Sequence, residues 1–280
     1  MARIDVLKTY KLFINGAFPR GESGRTYEIK DSKGNFLANP CQASRKDLRE
    51  AVVAARGAQT PWMNSTAYLR GQILYRAAEM MQARKNEFIE VILASEGKTG
   101  KAAQDEVEQA IDTWVWYAGW SDKISSVAGS TNQVSGPYYN FTIPEAVGVV
   151  AIFADAKSSL LSLVSSIGAV ITTGNTCVVI ASEKSPLAAI SLAEVLATSD
   201  LPAGVVNILT GKSSELVAWV AAHMDIDAVD LSGLTKKQES EVRLAGTENL
   251  KRIHRFAEIK SVQRILSFVE NKTVWHPIGV

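Results

Sequence analysis

The sequence contains few of the residues that most often mark a chemical site. Its 280 residues include two cysteines, Cys41 and Cys177, and three histidines, His223, His254 and His276. Two cysteines cannot build a disulfide framework, and no His or Cys spacing in the sequence matches a zinc site. The sequence therefore predicts neither a metal centre nor a disulfide-stabilised scaffold.

An excess of charge of one sign is also lacking. The 30 basic and 29 acidic residues leave a net charge of +1, and they form no run of like charges. Proteins bind the phosphate backbone of nucleic acids through concentrated positive charge. We therefore expect no nucleic-acid partner.

Long unbroken apolar runs are missing as well. Residues 1–13 alternate charged and apolar side chains, which does not resemble a secretory leader. The longest uncharged stretch, residues 158–182, is rich in Ser, Thr and Gly, and a Gly174-Asn175 pair interrupts it. This pattern is typical of a helix, a turn and a buried strand rather than of a membrane span. We expect a cytoplasmic protein without a membrane partner.

The two cysteines stand in structural contexts. Cys177 lies within the apolar run 176–180, which is typical of a central strand, and Cys41 follows Pro40 without a neighbouring histidine. A reactive thiol needs exposure and electropositive surroundings, whereas a thiol in a central strand behaves as a small hydrophobe. We therefore predict that neither thiol is a nucleophile.

The first half of the chain has the pattern of a short hairpin followed by four helices. Residues 12–14 and 27–30 are predicted to be the two strands of the hairpin. Ser44 with Asp47 three residues later predicts a helix start, and Pro61 predicts the end of that helix. Helical spacing of apolar residues predicts three more helices, over residues 69–81, 88–97 and 101–120.

From residue 145 the pattern changes to alternating strands and helices. Strands are predicted at residues 147–153, 176–180, 205–209 and 228–231, and helices at residues 158–172, 186–198, 213–222 and 236–245. This alternation predicts an α/β fold with a doubly wound, Rossmann-like parallel sheet, which binds ligands at the carboxyl ends of its strands. The remaining residues predict a strand at 252–259, a helix at 262–270 and a strand at 272–278.

One segment carries a resemblance to a known family. Residues 201–211, Leu-Pro-Ala-Gly-Val-Val-Asn-Ile-Leu-Thr-Gly, are very similar to a signature segment of the aldehyde dehydrogenase superfamily. Further segments resemble the family in the family's order: residues 98–101, 117–123, 144–150, 173–176 and 249–252. The resemblance implies one NAD(P)-binding domain over residues 1–280. Past Lys260 the family continues into a cysteine-bearing catalytic domain, which we expect to be absent here.

The family's catalytic positions are altered in this sequence. In the family a cysteine thiolate attacks the aldehyde, an asparagine helps to stabilise the oxyanion, and a glutamate activates water. Ala156 stands where the asparagine is expected and Phe256 where the glutamate is expected, with Glu258 displaced by two residues. No cysteine follows Cys177. The resemblance therefore assigns no catalytic residue to this chain.

The family's coenzyme positions are partly retained. Glu183 aligns with the residue that accepts hydroxyls of the adenosine ribose, but the accompanying lysine is missing. Residues 231–238 align with the turn that presents a helix start to the pyrophosphate. There, Leu234 and Gln238 are expected to add bulk. The predicted coenzyme contacts, all weak, are Glu183, Gly211, Gly233, Thr235 and Lys236. We expect no coenzyme to bind tightly, with NAD or NADP as the possible ligand.

The end of the sequence resembles a part of the family that joins subunits. Residues 272–279 look like the terminal strand of family members, which completes a bridging sheet with a hairpin resembling residues 133–143. The resemblance therefore implies a bridging β element over residues 131–145 and 271–280. The assembly surface is kept whereas the chemical positions are changed.

Three functions follow from the resemblance. The leading one is a non-catalytic pseudoenzyme, a structural or regulatory subunit that assembles with itself or with a full-length aldehyde dehydrogenase. The second is an NAD(P)-dependent aldehyde oxidoreductase that acts through a site shared with a partner. The third is a module that senses a nucleotide in the coenzyme cleft.

Overall fold

A computed structural model describes residues 6–279. The first part of the chain forms strands β1 (Ile29–Lys30) and β2 (Phe36–Ala38), then helices α1 (Arg45–Asn64), α2 (Ala67–Ala83), α3 (Lys85–Glu96), α4 (Gly100–Trp120) and α5 (Ile124–Ala128). The middle part forms β3 (Ser130–Asn132), β4 (Tyr138–Ala146), β5 (Val149–Phe153), α6 (Ser159–Ile171), β6 (Thr176–Ile180), α7 (Leu187–Ala197), β7 (Val206–Leu209), α8 (Ser213–Ala222), β8 (Ala228–Asp230) and α9 (Lys236–Ala245). The last part forms β9 (Arg252–His254), α10 (Val262–Leu266) and β10 (Val269–Pro277).

Five parallel strands form the central sheet, in the order β7-β6-β5-β8-β9. All residues of β5 and β6 are buried, because helices cover both faces of the sheet. Val150, Ile152, Cys177 and Val179 face the core that contains α6 and α7, and the alternate residues face the core under α1 and α8. The predicted doubly wound α/β fold is confirmed.

Helix α1 begins as predicted but extends further. The Ser44 side chain accepts the Asp47 amide at 3.3 Å, and the Asp47 carboxylate accepts the Ser44 amide at 2.7 Å. The expected end at Pro61 is wrong, because the helix continues to Asn64. Trp62 explains the extension, since its buried indole donates to the carbonyl of Ile171 at 3.0 Å and anchors the last turn.

The predicted hairpin of residues 12–14 and 27–30 is wrong. Phe13 instead pairs with Ile208 of β7, with backbone N–O distances of 2.9 and 2.7 Å. Strand β1 pairs with β2. The amino-terminal segment therefore covers the open edge of the central sheet, which would otherwise expose unpaired backbone groups.

A second sheet, which we call the arm, consists of residues 130–146 and 269–277. Its antiparallel strands lie in the order β10-β4-β3, and β10 pairs with β4 from Val269 opposite Ala146 to Pro277 opposite Tyr138. The predicted hairpin at 133–143 is therefore longer, and its turn occupies residues 133–137. The predicted bridging segments 131–145 and 271–280 fall on the arm as far as Pro277, and residues 278–279 follow it. Val280 and residues 1–5 lie outside the described residues. We call residues 6–129 and 147–268 the body.

The chain between β9 and β10 is less regular than expected. The predicted strand 252–259 ends at His254, and the predicted helix 262–270 ends at Leu266. A buried side chain explains the irregular path, because the Arg264 guanidinium donates to Asp230 at 2.9 Å and to Ser165 at 2.8 Å. This long-range contact holds residues 255–268 across α6 instead of along the sheet.

The uncharged stretch 158–182 folds as predicted into α6, a turn and β6. Gly174 in the turn has a φ of +93°, a conformation that favours glycine. Among the helices described between residues 6 and 279, none combines the length and the apolar character needed to cross a membrane.

Candidate functional site

The predicted coenzyme residues lie at one edge of the central sheet. Glu183 follows β6, Gly211 follows β7, and Gly233, Thr235 and Lys236 follow β8. Because the strands are parallel, their carboxyl ends share this edge, where doubly wound proteins bind ligands. We call it the carboxyl edge.

Gly233 closes the carboxyl edge at the point where the strand order reverses. Its amide donates to the carbonyl of Phe153 at 2.8 Å. A Cβ at this position would lie 2.2 Å from the carbonyl oxygen of Ala154, so only glycine fits. The turn therefore packs directly on the end of β5.

The start of α9 is capped by its own side chains. Gln238 Oε1 accepts the Thr235 amide at 3.1 Å, and Thr235 Oγ1 accepts the Gln238 amide at 3.4 Å. Lys236 is exposed beside this cap, so the helix start still favours an anion. The expectation that Leu234 adds bulk here is wrong, because Leu234 is 6% exposed and packs into the core with Val242.

Near Glu183 and Gly211 lies a residue that the sequence analysis did not identify, Tyr27. Burial raises the pKa of the Tyr27 hydroxyl, and the negative charge of nearby Glu183 raises it further, while the Gly211 backbone lowers it. The Tyr27 hydroxyl is buried and has no hydrogen-bond partner among residues 6–279. No local pattern could have indicated Tyr27, since it reaches this edge from the segment before β1.

Gly211 also has a structural role. Its φ is +146°, and a Cβ there would lie 3.1 Å from the amide nitrogen of Ala43. The glycine therefore allows the end of β7 to pack against the segment that leads into α1. A coenzyme contact is not needed to explain this residue.

The carboxyl edge fits part of a dinucleotide. The capped start of α9 with Lys236 suits one anionic group. Glu183 is exposed and is the carboxylate available for ribose hydroxyls, whereas the neighbouring Ala181 and Ser182 are buried. The Gly233 turn packs on the end of β5 at the strand reversal. The edge therefore keeps an anion-favouring helix start and one exposed carboxylate, and we assign no reaction step to a coenzyme.

The positions expected to perform chemistry carry side chains without catalytic groups. Ala156 presents a methyl group after β5. Phe256 packs against Phe268, with ring centroids 5.7 Å apart, and under the Arg264 guanidinium at 4.7 Å. Glu258 is exposed, and its backbone carbonyl accepts from Arg264 at 3.2 Å.

Both cysteines are buried, which the sequence predicts for Cys177 from its apolar strand. Cys177 lies in β6 between β5 and β7, and burial raises the pKa of its thiol. Cys41 donates its amide to Tyr10 and accepts the Thr210 hydroxyl at its carbonyl. Within residues 6–279, no three His, Cys, Asp or Glu side chains are grouped so as to hold a metal ion.

Comparison with known proteins relates this geometry to one family. The profile of the aldehyde dehydrogenase family matches residues 19–266. A putative aldehyde dehydrogenase of Bacillus subtilis, DhaS, is 33% identical over 232 residues, which are 81% of this chain and 46% of that protein. An aldehyde dehydrogenase of Emericella nidulans is 30% identical over 273 residues, 96% of this chain and 54% of that protein.

Solved structures show the same architecture. The NAD+ complex of an aldehyde dehydrogenase from Bacillus cereus has a TM-score of 0.83 and 29% identity, and the match covers 89% of this chain and 50% of that one. The chain thus spans about half the length of the relatives it matches. With the profile match over most of its length, this chain belongs to the aldehyde dehydrogenase family.

Proposed function

We propose that this chain is a non-catalytic member of its family, a structural or regulatory subunit that assembles through the arm with a full-length aldehyde dehydrogenase. The observation that carries the proposal is the contrast between the two regions. The arm presents a nine-residue strand pair with exposed aromatic residues, whereas the positions expected to perform chemistry carry a methyl and a phenyl group. This proposed function does not require an anionic ligand at the carboxyl edge.

The non-catalytic part of the proposal rests on the thiols. Aldehyde oxidation in this family begins with attack by a thiolate, and a thiol needs exposure and stabilising charge to supply one. Cys177 has no exposed surface and a raised pKa, so it stays protonated within the sheet. Cys41 is 5% exposed.

An activity assay tests this part directly. We expect the isolated protein to show no aldehyde-dependent reduction of NAD or NADP above background. The control is the double variant Cys41→Ser with Cys177→Ser, which should behave identically. Turnover by the wild type that either cysteine substitution abolishes would contradict the proposal.

The assembly part rests on the exposed edge of the arm. Strand β10 lies at the outside of its sheet, with Trp275 58% exposed and Ile278 beside it 52% exposed. Soluble proteins usually cover such an edge, and a partner subunit can do so by adding a strand or packing on the apolar side chains.

Two variants test assembly. Val274→Asp and removal of residues 272–280 should convert an oligomer into a monomer or an aggregate, while circular dichroism shows that the body remains folded. Light scattering measures the change. Assembly of the truncated chain with unchanged stoichiometry, or a wild type that is already a well-behaved monomer, would make the bridging role wrong.

Mixing experiments separate this function from a shared active site. We expect the chain to co-purify with a full-length aldehyde dehydrogenase, and the Val274→Asp variant to fail to do so. If the mixture gains activity that depends on Glu183 or Lys236 of this chain, a composite oxidoreductase is supported instead. Cell fractionation would test the cytoplasmic location that we propose with it.

Calorimetry with NAD and NADP tests the third function, nucleotide sensing. We expect weak or undetectable binding, because the Gln238 side chain caps the start of α9, where the pyrophosphate would approach. Micromolar affinity that Lys236→Ala weakens would favour a sensing module.

A further inference from the structure

The junction between the body and the arm is crossed by the chain at three places. These crossings are residue 129 before β3, residues 147–148 between β4 and β5, and residues 267–268 before β10. On one side a groove of about 450 Å3 runs along the junction, lined by Ala128, Arg252 and Leu266 of the body and by Val269 and Asn271 of the arm. A small number of specific contacts must therefore fix the arm on the body.

One buried side chain holds two of these crossings at once. Asn175, in the turn before β6, has no exposed surface. Its Oδ1 accepts the amide of Gly148 at 2.8 Å, and its Nδ2 donates to the carbonyl of Phe268 at 2.8 Å. The second Nδ2 hydrogen is used by Thr173 Oγ1 at 2.8 Å. The carboxamide thus links the end of β4 and the start of β10 to the sheet of the body.

The backbone on the β4 side cannot easily adjust. Gly148 has a φ of +136°, and a Cβ there would lie 2.1 Å from Asp227 Oδ2. That carboxylate accepts the Val149 amide and an Arg56 amino group, each at 2.7 Å. Gly148 is therefore enclosed, and a change at Asn175 should be absorbed by Phe268 and the strand that follows it.

A second contact at the junction holds one strand only. Arg252 donates to the carbonyl of Val269 at 2.6 Å and to the Glu270 carboxylate at 2.8 Å. Its side chain is 37% exposed, so water competes with these bonds. Asn175, by contrast, is shielded from water, and loss of one partner leaves a buried polar group unsatisfied.

We infer that Asn175 is the residue that positions the arm on the body, and thereby sets the orientation of the surface through which subunits assemble. It acts through the backbone of Gly148 and Phe268 and touches no partner itself. The link to assembly rests on the proposed function, whereas the link to the arm rests on the contacts above.

The test compares Asn175→Asp with Asn207→Asp. Asn207 is also fully buried, accepts the Asn15 amide at 2.9 Å, and donates to the carbonyls of Gly204 and Cys177 at 2.8 and 3.2 Å. Both substitutions remove two donors without changing size, so both should lower the melting temperature. Asn207 lies at the opposite side of the sheet, on β7, and makes no contact with the arm.

Hydrogen exchange distinguishes the two variants. At neutral pH, Asn175→Asp should raise exchange in residues 138–146 and 269–277 by about tenfold or more, because local opening becomes easier, while Asn207→Asp should not. Native mass should show a smaller assembled fraction for Asn175→Asp. Lowering the pH protonates the new carboxyl, whose neutral form burial favours, and this restores one donor, so exchange normalised to the wild type should fall again.

Several outcomes would overturn the inference. Equal increases of arm exchange in both variants would show that the cause is lost stability and not the position of Asn175. Unchanged arm exchange in Asn175→Asp would contradict the inference directly. If Asn175→Asp fails to fold, the variant Asn175→Ser, which retains one donor, takes the place of Asn175→Asp in the comparison. A monomeric wild type would refute the assembly proposal, but the exchange data would still decide the role of Asn175.

Discussion

The central sheet and the arm show two ways of stabilising strands in one chain. All five residues of β5 and all five of β6 are buried between layers of helix, so burial of apolar surface holds the body together. In the nine residues of β10 only Val269 is buried, and in β4 only Asn140. The arm therefore depends on backbone pairing, on contacts between neighbouring side chains and on its attachment to the body.

The apolar side chains of the arm remain available on its surface. Tyr138 packs edge to face against Trp275 with ring centroids 5.7 Å apart, and Tyr139 packs on Phe141 at 5.6 Å. Even so, Tyr138 is 44% and Trp275 58% exposed. Apolar residues in the body therefore provide stability, whereas those in the arm are suited to contacts with another molecule.

The largest expected effect comes from a Val→Asp substitution made in each sheet in turn, which should lower the free energy of unfolding far more in the central sheet than in the arm. Val178→Asp places an unpaired charge in the middle of the sheet, which should cost roughly 4–5 kcal/mol or prevent folding. Val274→Asp, on the half-buried face of β10, should change the free energy of unfolding by less than about 1 kcal/mol. Urea denaturation measures both. Similar losses would show that the arm and the body are one equally packed unit.

The buried ion pair of the body should give the next largest effect. Arg264 is 4% exposed and pairs with the fully buried Asp230 at 2.9 Å. Arg264→Ala should lower the free energy of unfolding by about 3–5 kcal/mol, because it leaves a buried carboxylate without its partner. The control is Arg243→Ala, which breaks the exposed 2.8 Å pair with Glu239 and should cost about 0–1 kcal/mol. A loss no greater than the control's would contradict the role assigned to Arg264.

A polar ladder in the arm should give a smaller and local effect. Asn132 donates to Asn140 at 2.6 Å and to Thr142 at 2.9 Å. Asn132→Ala should cost about 1 kcal/mol and raise hydrogen exchange in β3 and β4, while β5 and β6 stay protected. The exposed Asn271 on β10 provides the matched control. Increased exchange throughout the body would mean that the two sheets unfold together.

A last effect concerns pH and is confined to the body. Burial lowers the pKa of Lys251 to about 8, although its amino group donates to the carbonyls of His223 and Ile226. The folded state therefore binds fewer protons than the unfolded state between about pH 8 and the ordinary lysine value near 10.4, and stability should rise with pH in that window. Melting temperatures of Lys251→Met, compared with the wild type, isolate this contribution. A parallel pH dependence of the two proteins would refute it.

Local signals in the sequence were sufficient for much of the body. Apolar periodicity and turn residues placed β6 and α8 at their observed bounds, and the Ser44 and Asp47 pair placed the start of α1. These elements depend on neighbouring residues, which a sequence pattern displays directly.

Contacts between distant residues account for the errors. Arg264 ends β9 early by holding the following segment on α6, and Phe13 leaves its expected hairpin to pair with Ile208. At the carboxyl edge, Leu234 turns into the core and Tyr27 approaches Glu183. Each depends on a partner far away in the sequence, so spacing and composition could not indicate them.

The burial of both thiols has a practical consequence for spectroscopy. With Cys177 fully enclosed and Cys41 5% exposed, the folded chain offers little background to thiol-directed dyes or spin labels. A cysteine introduced at Ser135, in the exposed turn of the arm, would accept a single probe without removal of the native residues. Such a probe would report distances from the arm to a labelled binding partner in solution.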